Sequence, residues 1–173
     1  MVERGVLIVM GSDSDLRVMQ GATSALEALG VPQSVHIASA HRTPEKLARL
    51  VAQAEAEGCG TIIAGAGGAA HLPGVVAAST TLPVIGVPIS GGALNGVDAL
   101  YAIVQMPKGI PVATVAIDGA YNAGLLAAQM LALGDAALAE RLKAYRRTLA
   151  DQVESKDARL QEQGVAGYLA QPR

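Results

Sequence analysis

The chain has 173 residues, 51% hydrophobic and 16% charged, with a net charge of −2. Such a chain is long and apolar enough to bury a core, which excludes disorder. It holds no basic run or aromatic-interleaved basic stripe for nucleic acid, and no apolar run reaches the ~18 residues of a membrane helix.

Short apolar runs alternate with stretches of helical period, the pattern of βαβ units and a parallel sheet. The opening residues, Met1 to Gly5, lead straight into a strand and lack a signal-peptide layout, so a cytoplasmic protein is expected. Residues 6–10 are apolar without a break, as in a strand buried on both faces. Gly11, Ser12, Asp13, Ser14 and Asp15 form the next turn. Val18, Met19, Ala22, Leu26 and Leu29 then recur at helical spacing until Gly30. Residues 35–38 form a second strand, with His36 inside it in a structural role. Thr43 is expected to cap the following helix and Pro44 to start it, with Leu47, Leu50, Val51 and Ala54 as its buried stripe.

Residues 61–64 are the third strand, entered past Cys59, the only cysteine and a small buried hydrophobe. One cysteine makes neither a disulfide nor a cysteine-based metal site. A loop rich in glycine and alanine follows, from Gly65 to Gly74. Residues 84–87 are the fourth strand, and its loop carries Pro88, Gly91, Gly92 and Gly96. Residues 98–106 are predicted helical, 112–117 the fifth strand, and 122–133 a helix ended by Gly134. A last helix, 136–163, is rich in both charge signs and reads as solvated. Between Gly58 and Pro107 the only formal charge is Asp98, so part of that stretch is expected to face other subunits or a pocket.

These elements predict one catalytic domain over 1–173. It is a three-layer αβα sandwich on a doubly wound parallel sheet, flavodoxin-like, with a long C-terminal helix. Ligands of such sheets bind outside the carboxyl ends of the strands. The polar and glycine-rich segments fall at those ends, after strands one to four.

Three segments can carry chemistry. The turn at Gly11–Asp15 opens a helix whose free N–H groups and dipole favour an anion, and Ser12 and Ser14 add hydroxyls. Capping alone is the plainer reading of such a turn, but two serines and two aspartates exceed what a cap needs. Asp15 beside an anion would bind sugar hydroxyls or an amine. After strand two comes Ser39-Ala-His-Arg-Thr-Pro44. Arg42 offers a bidentate fork to phosphate, and His41 moves a proton near neutral pH. A lone histidine is usually structural. This one sits beside an arginine, in a loop at the carboxyl edge of a buried strand, which favours catalysis. After strand three, Ala66, Gly67 and Gly68 offer a bare backbone surface for a planar ring. Gly65 to Ala70 also fits a dinucleotide fingerprint, but it follows the wrong strand, and no acidic residue ends the fourth strand to hold a ribose. His71 closes the loop, and a structural role fits it as well as a carboxylate contact does.

The common catalytic loops and zinc helices are missing, and the four lysines avoid the glycine-rich loops. What remains is acid–base chemistry without a cofactor or metal, on a phosphorylated, ring-bearing small molecule.

In order, these motifs and the later Gly96-Val-Asp-Ala-Leu100 and Ile103-Val-Gln-Met-Pro-Lys-Gly-Ile-Pro111 closely resemble the 5-(carboxyamino)imidazole ribonucleotide mutases, over about residues 6–150. The resemblance implies an isomerase of purine biosynthesis. It moves a carboxylate from the exocyclic nitrogen of an aminoimidazole ribonucleotide to ring carbon 4, with no ATP, metal or biotin. The proton carrier is then His41. Ser12, Asp15 and Arg42 contact substrate, with phosphate on Arg42 and the hydroxyls of Ser12, Ser14 and Ser39, and ribose on Asp15. The ring lies along Ala66, Gly67 and Gly68, and the carboxylate near His71 and Leu72. A homo-octamer and an ATP-dependent synthetase as functional partner are also implied. A related branch that carboxylates the aminoimidazole directly with CO2 typically has Lys where Arg42 stands, which favours the mutase. A non-enzymatic phosphate- or nucleotide-binding module is the remaining alternative. The segment 118–122 is shorter than in many members, and Ser90, Gly91 and Gly92 sit in a variable loop.

Overall fold

The computed structural model describes residues 5–170, so the first four residues of the expected N-terminal lead-in lie outside the described residues. Five parallel strands run in the order β2-β1-β3-β4-β5. They are β1 (Val6–Met10), β2 (Gln33–Ile37), β3 (Thr61–Gly67), β4 (Val84–Ile89) and β5 (Ala113–Thr114). The helices are α1 (Leu16–Ala28), α2 (Pro44–Ala56), α3 (Leu72–Ala78), α4 (Val97–Val104), α5 (Ala120–Ala132) and α6 (Ala136–Leu169).

Period-two alternation in the central strands builds two cores. Val6, Ile8 and Met10 of β1, with Ile63, Ile85 and Val87, pack under α1 and α5 through Met19, Ala22, Leu26, Ala123 and Ala127. Leu7 and Val9, with Ile62 and Ala64, pack on the other face against Leu47 and Val51 of α2, Leu72 and Val76 of α3, and Ala99 and Ile103 of α4. The three-layer sandwich is therefore present. In it β1 lies between β2 and β3, with register Val6 to Gln33 on one side and Val6 to Thr61 on the other. The chain leaves β1 in one direction and returns on the other, which opens a crevice at their carboxyl ends.

Several sequence expectations need correction. The strand before His41 is not buried: β2 is an edge, with Val35 40% and Ile37 44% exposed. Thr43 does hold the N-cap position of α2, but its side chain makes no capping bond. Its hydroxyl instead accepts from the Ser39 N–H at 2.9 Å and donates to the Ser39 carbonyl at 3.2 Å, tying the loop to itself. Pro44 does open the helix. Cys59 is only partly buried, against the second core.

β3 and β4 run to Gly67 and Ile89, beyond the expected 64 and 87. β5 has two residues where six were expected. Its ladder to β4 ends soon after Thr114, because the chain turns at Ala116–Gly119, where Gly119 N–H donates to the Ala116 carbonyl and Asp118 adopts φ 58°. α4 stops at Val104, because Pro107 bars further helix just ahead and Gln105 already leaves helical geometry. α5 starts two residues early, at Ala120. The last helix is interrupted at Gly164 (φ 65°, ψ 170°), next to its expected end at 163, and a further turn follows to Leu169. Among the described residues no helix is long and apolar enough to cross a membrane.

Candidate active site

The turn after β1 is a short 3-10 turn, Asp13–Asp15, closed by a capping box. Ser12 N–H donates to Asp15 Oδ2 at 3.1 Å, and Ser12 Oγ accepts from Ser14 N–H at 3.3 Å. Ser14 Oγ lies 2.9 Å from Ser12 Oγ and 3.3 Å from Asp15 Oδ1. The serines and Asp15 thus form one polar cluster at the start of α1. Asp15 is nearly buried. That burial raises its carboxyl above the ordinary value of 3.8, against the opposing bonds from Ser12 and Ser14.

A pH dependence of stability follows. Below the ordinary value the carboxyl is protonated whether the chain is folded or not, and contributes nothing. As pH rises, the unfolded chain ionises first, so stability falls until the raised folded value is passed and is level thereafter. Asp15→Asn is expected to raise the thermal midpoint at neutral pH and to flatten this fall. Melts from mildly acidic to neutral pH check it; a lower midpoint at neutral pH would refute the burial argument.

The loop after β2 is fastened to the first turn. Arg42 Nη2 donates to the Gly11 carbonyl at 3.2 Å, and Ser39 Oγ accepts from Arg42 N–H at 3.2 Å and from Nε at 3.5 Å. The guanidinium is held at the crevice with part of its fork free. His41 Nε2 lies 2.9 Å from His71 Nδ1, the rings edge to face with centroids 5.0 Å apart. His71 precedes α3 and has no place in the cavity wall, so it meets the cavity through His41.

Beyond β3, Gly68 turns at φ 58°. A β-carbon on Gly67 would come 3.1 Å from the Ile89 carbonyl, so that position has little room for a side chain, whereas at Gly68 it is the left-handed backbone that disfavours one. These segments enclose a cavity of about 490 Å³, in the range of ~300–1,000 Å³ typical of small-ligand sites. Ser12, Ser14, Asp15, Ser39, His41, Arg42, Ala66, Gly67, Gly68 and Leu72 all line it. Every residue singled out from the sequence is thus in the wall, except His71. Ile89, Ser90, Gly91, Gly92 and Asp98 line the cavity too; the sequence reading set the loop after the fourth strand at the site but gave none of these residues an individual role. The glycines after β4 and the isolated charge of Asp98 were the available signals. Among the described residues no cluster of three or more His, Cys, Asp or Glu side chains forms a metal cage.

Fold and site define a doubly wound α/β protein whose crevice, bearing Arg42 and His41, lies at the switch point of its sheet. The sequence profile of the AIR carboxylase family matches residues 5–152. The chain belongs to that family. It is 55% identical over 164 residues to an N5-carboxyaminoimidazole ribonucleotide mutase of Pyrococcus horikoshii, covering 95% of this chain and 93% of the relative. The Escherichia coli protein of that name is 56% identical over 157 residues, at 89% and 93% coverage. A phosphoribosylaminoimidazole carboxylase of Saccharomyces cerevisiae is 50% identical over 169 residues, 98% of this chain but 30% of the yeast protein. The crystal structure of Treponema denticola PurE superposes with a TM-score of 0.82 at 31% identity, covering 90% of this chain and 97% of that one.

Proposed function

We propose that the chain is an isomerase of purine biosynthesis that converts 5-(carboxyamino)imidazole ribonucleotide to 4-carboxy-5-aminoimidazole ribonucleotide. The observation that carries this is 55% identity to a mutase over nearly the whole of both chains. The geometry supports it, because three loops distant in sequence bring Asp15, Arg42, His41 and a bare backbone wall to one cavity.

The substrate phosphate lies on Arg42 and the hydroxyls of Ser12, Ser14 and Ser39, and the ribose hydroxyls on Asp15. The imidazole ring lies along Ala66, Gly67 and Gly68, with its carboxylate near Leu72 and reached from His71 only through His41. The carboxylate–nitrogen bond breaks with its electron pair going to nitrogen, which takes a proton from His41. Carbon dioxide is small and apolar and is retained by walls that exclude water, as glycine, alanine and leucine do. Ring carbon 4 then bonds to it, and His41 removes the proton left on that carbon. One imidazole gives a proton and takes one back, so the cycle closes without a cofactor. While His41 is charged, its Nε2–H donates to Nδ1 of neutral His71.

The test is conversion of the carboxyamino nucleotide to its carbon-carboxylated isomer without ATP, metal or added bicarbonate. Rapid conversion establishes the mutase. Carboxylation of the aminoimidazole ribonucleotide only when bicarbonate is supplied moves the chain to the direct-carboxylase branch. Failure of both reactions leaves a phosphate- or nucleotide-binding module.

The same reading makes the chain one catalytic domain of the cytoplasm, acting on the product of an ATP-dependent synthetase. It also makes it a homo-octamer, with α6 as an interaction helix. An apolar stripe at Leu94, Val97, Tyr101 and Val104 stands exposed on and before α4, in the charge-poor stretch. On α6, Val153, Val165 and Leu169 are exposed as well. Light scattering is expected to give eight times the 17.5 kDa chain mass; a stable, active monomer would refute the octamer.

A further inference from the structure

Asp118 lies outside the cavity, in the turn between β5 and α5, with a left-handed backbone at φ 58°. Its N–H donates to the Pro88 carbonyl at 2.8 Å. Its carboxylate Oδ1 accepts from the Ser90 N–H, also at 2.8 Å. Pro88 and Ser90 flank Ile89, the last residue of β4. A parallel neighbour bonds a strand in this pattern: its N–H reaches the carbonyl before the paired residue, and its carbonyl takes the N–H after it. At Asp118 the carboxylate stands in for that carbonyl. β5 has already ended at Thr114, whose partner is Gly86, so the side chain supplies one more rung farther along β4.

That rung falls where β4 becomes cavity wall. Ile89, Ser90, Gly91 and Gly92 all line the cavity. Gly96 closes on Ser90 from behind: a β-carbon there would lie 3.0 Å from Ser90 Cα. Past Ser90 the chain runs through Gly91 and Gly92, and nothing lies within 4 Å of where a β-carbon would sit on either. Ser90 is therefore held on both sides, and it sets the direction in which the unsupported glycines leave.

We propose that Asp118 is a positioning residue for substrate binding, fixing the wall opposite His41 and Arg42 by completing the edge of β4 with its side chain. This rests on the mutase reading and adds to it a residue that never touches substrate.

The test compares two variants in the full chain. Asp118→Gly keeps the left-handed backbone and removes the acceptor. Asp118→Asn keeps an acceptor oxygen and tolerates the same backbone. Losing one hydrogen bond to a charged group is expected to raise KM about five- to tenfold in Asp118→Gly, with kcat within about twofold. Asp118→Asn is expected to restore the KM. Amide exchange at Ser90 is expected to be fast in the glycine variant and slow in the wild type and the asparagine variant. Unchanged KM in Asp118→Gly, equal impairment of both variants, or a fall in kcat alone would each overturn the role. An inactive wild-type chain overturns the functional reading itself, and this role with it; that failure is visible before any variant is measured.

Discussion

His41→Asn is expected to lower kcat by about 10²- to 10⁴-fold, the usual contribution of a positioned acid–base group, while leaving substrate affinity within a few fold. The two effects separate because different residues carry them. The guanidinium of Arg42 bonds to Ser39 Oγ and the Gly11 carbonyl, and the Ser12–Asp15 cluster is closed on itself; neither relies on His41. The imidazole's one described hydrogen bond is with His71. Asparagine retains polarity but cannot carry a proton in both directions. Turnover followed by product formation, with product affinity from calorimetry, checks this. Survival of both turnover and binding would remove His41 from the mechanism. Loss of binding along with turnover would make it a ligand contact instead.

Gly124→Val is expected to destabilise the fold by about 2–3 kcal/mol, as overpacking of a tight contact does. For a chain of this size that lowers the thermal midpoint by roughly 5–10 °C. α1 and α5 cross with their backbones close together. A β-carbon at Gly124 would lie 2.7 Å from the Ala22 carbonyl oxygen and 2.8 Å from Ala25 Cβ, and one at Gly21 3.0 Å from the Tyr121 nitrogen. The obstructing atom at Gly124 is backbone, so no rotamer change relieves the clash and the helices must separate. Thermal unfolding followed by circular dichroism checks it. An unchanged midpoint would mean that α5 shifts freely on α1.

Most of the site was legible because the rule behind it is topological. In a doubly wound sheet the loops at the strand ends converge, so polar residues after strands one, two and three meet however far apart they lie in sequence. Ser12, Asp15, Ser39, His41 and Arg42 follow from that rule. The wall after β4 was less legible, because Ser90, Gly91 and Gly92 carry no chemical motif, only flexibility and a hydroxyl. The partnership of Asp118 with Ser90 was hidden altogether: no local pattern says that a side chain will replace a strand. The length of β5 failed for a related reason. Residues 112–117 have the composition of a strand, and only the turn at Asp118 shows where pairing ends. The exposure of β2 was missed because its alternation says nothing about which strand falls at the edge.

The sheet order also has a consequence for how the protein is made. No two adjacent strands are joined by a hairpin; even Ile62 and Val84, of consecutive strands β3 and β4, pair across an intervening helix. Every rung is non-local, a topology that folds slowly. The strand that leaves the ribosome first, β1, must wait for β3 before its second edge is covered. The cavity walls then arrive in chain order, and the clasp at Asp118 comes after all of them. A nascent chain therefore has no complete cavity to offer its nucleotide until translation has passed the fourth strand and Asp98, and ligand can stabilise only the later stages of folding.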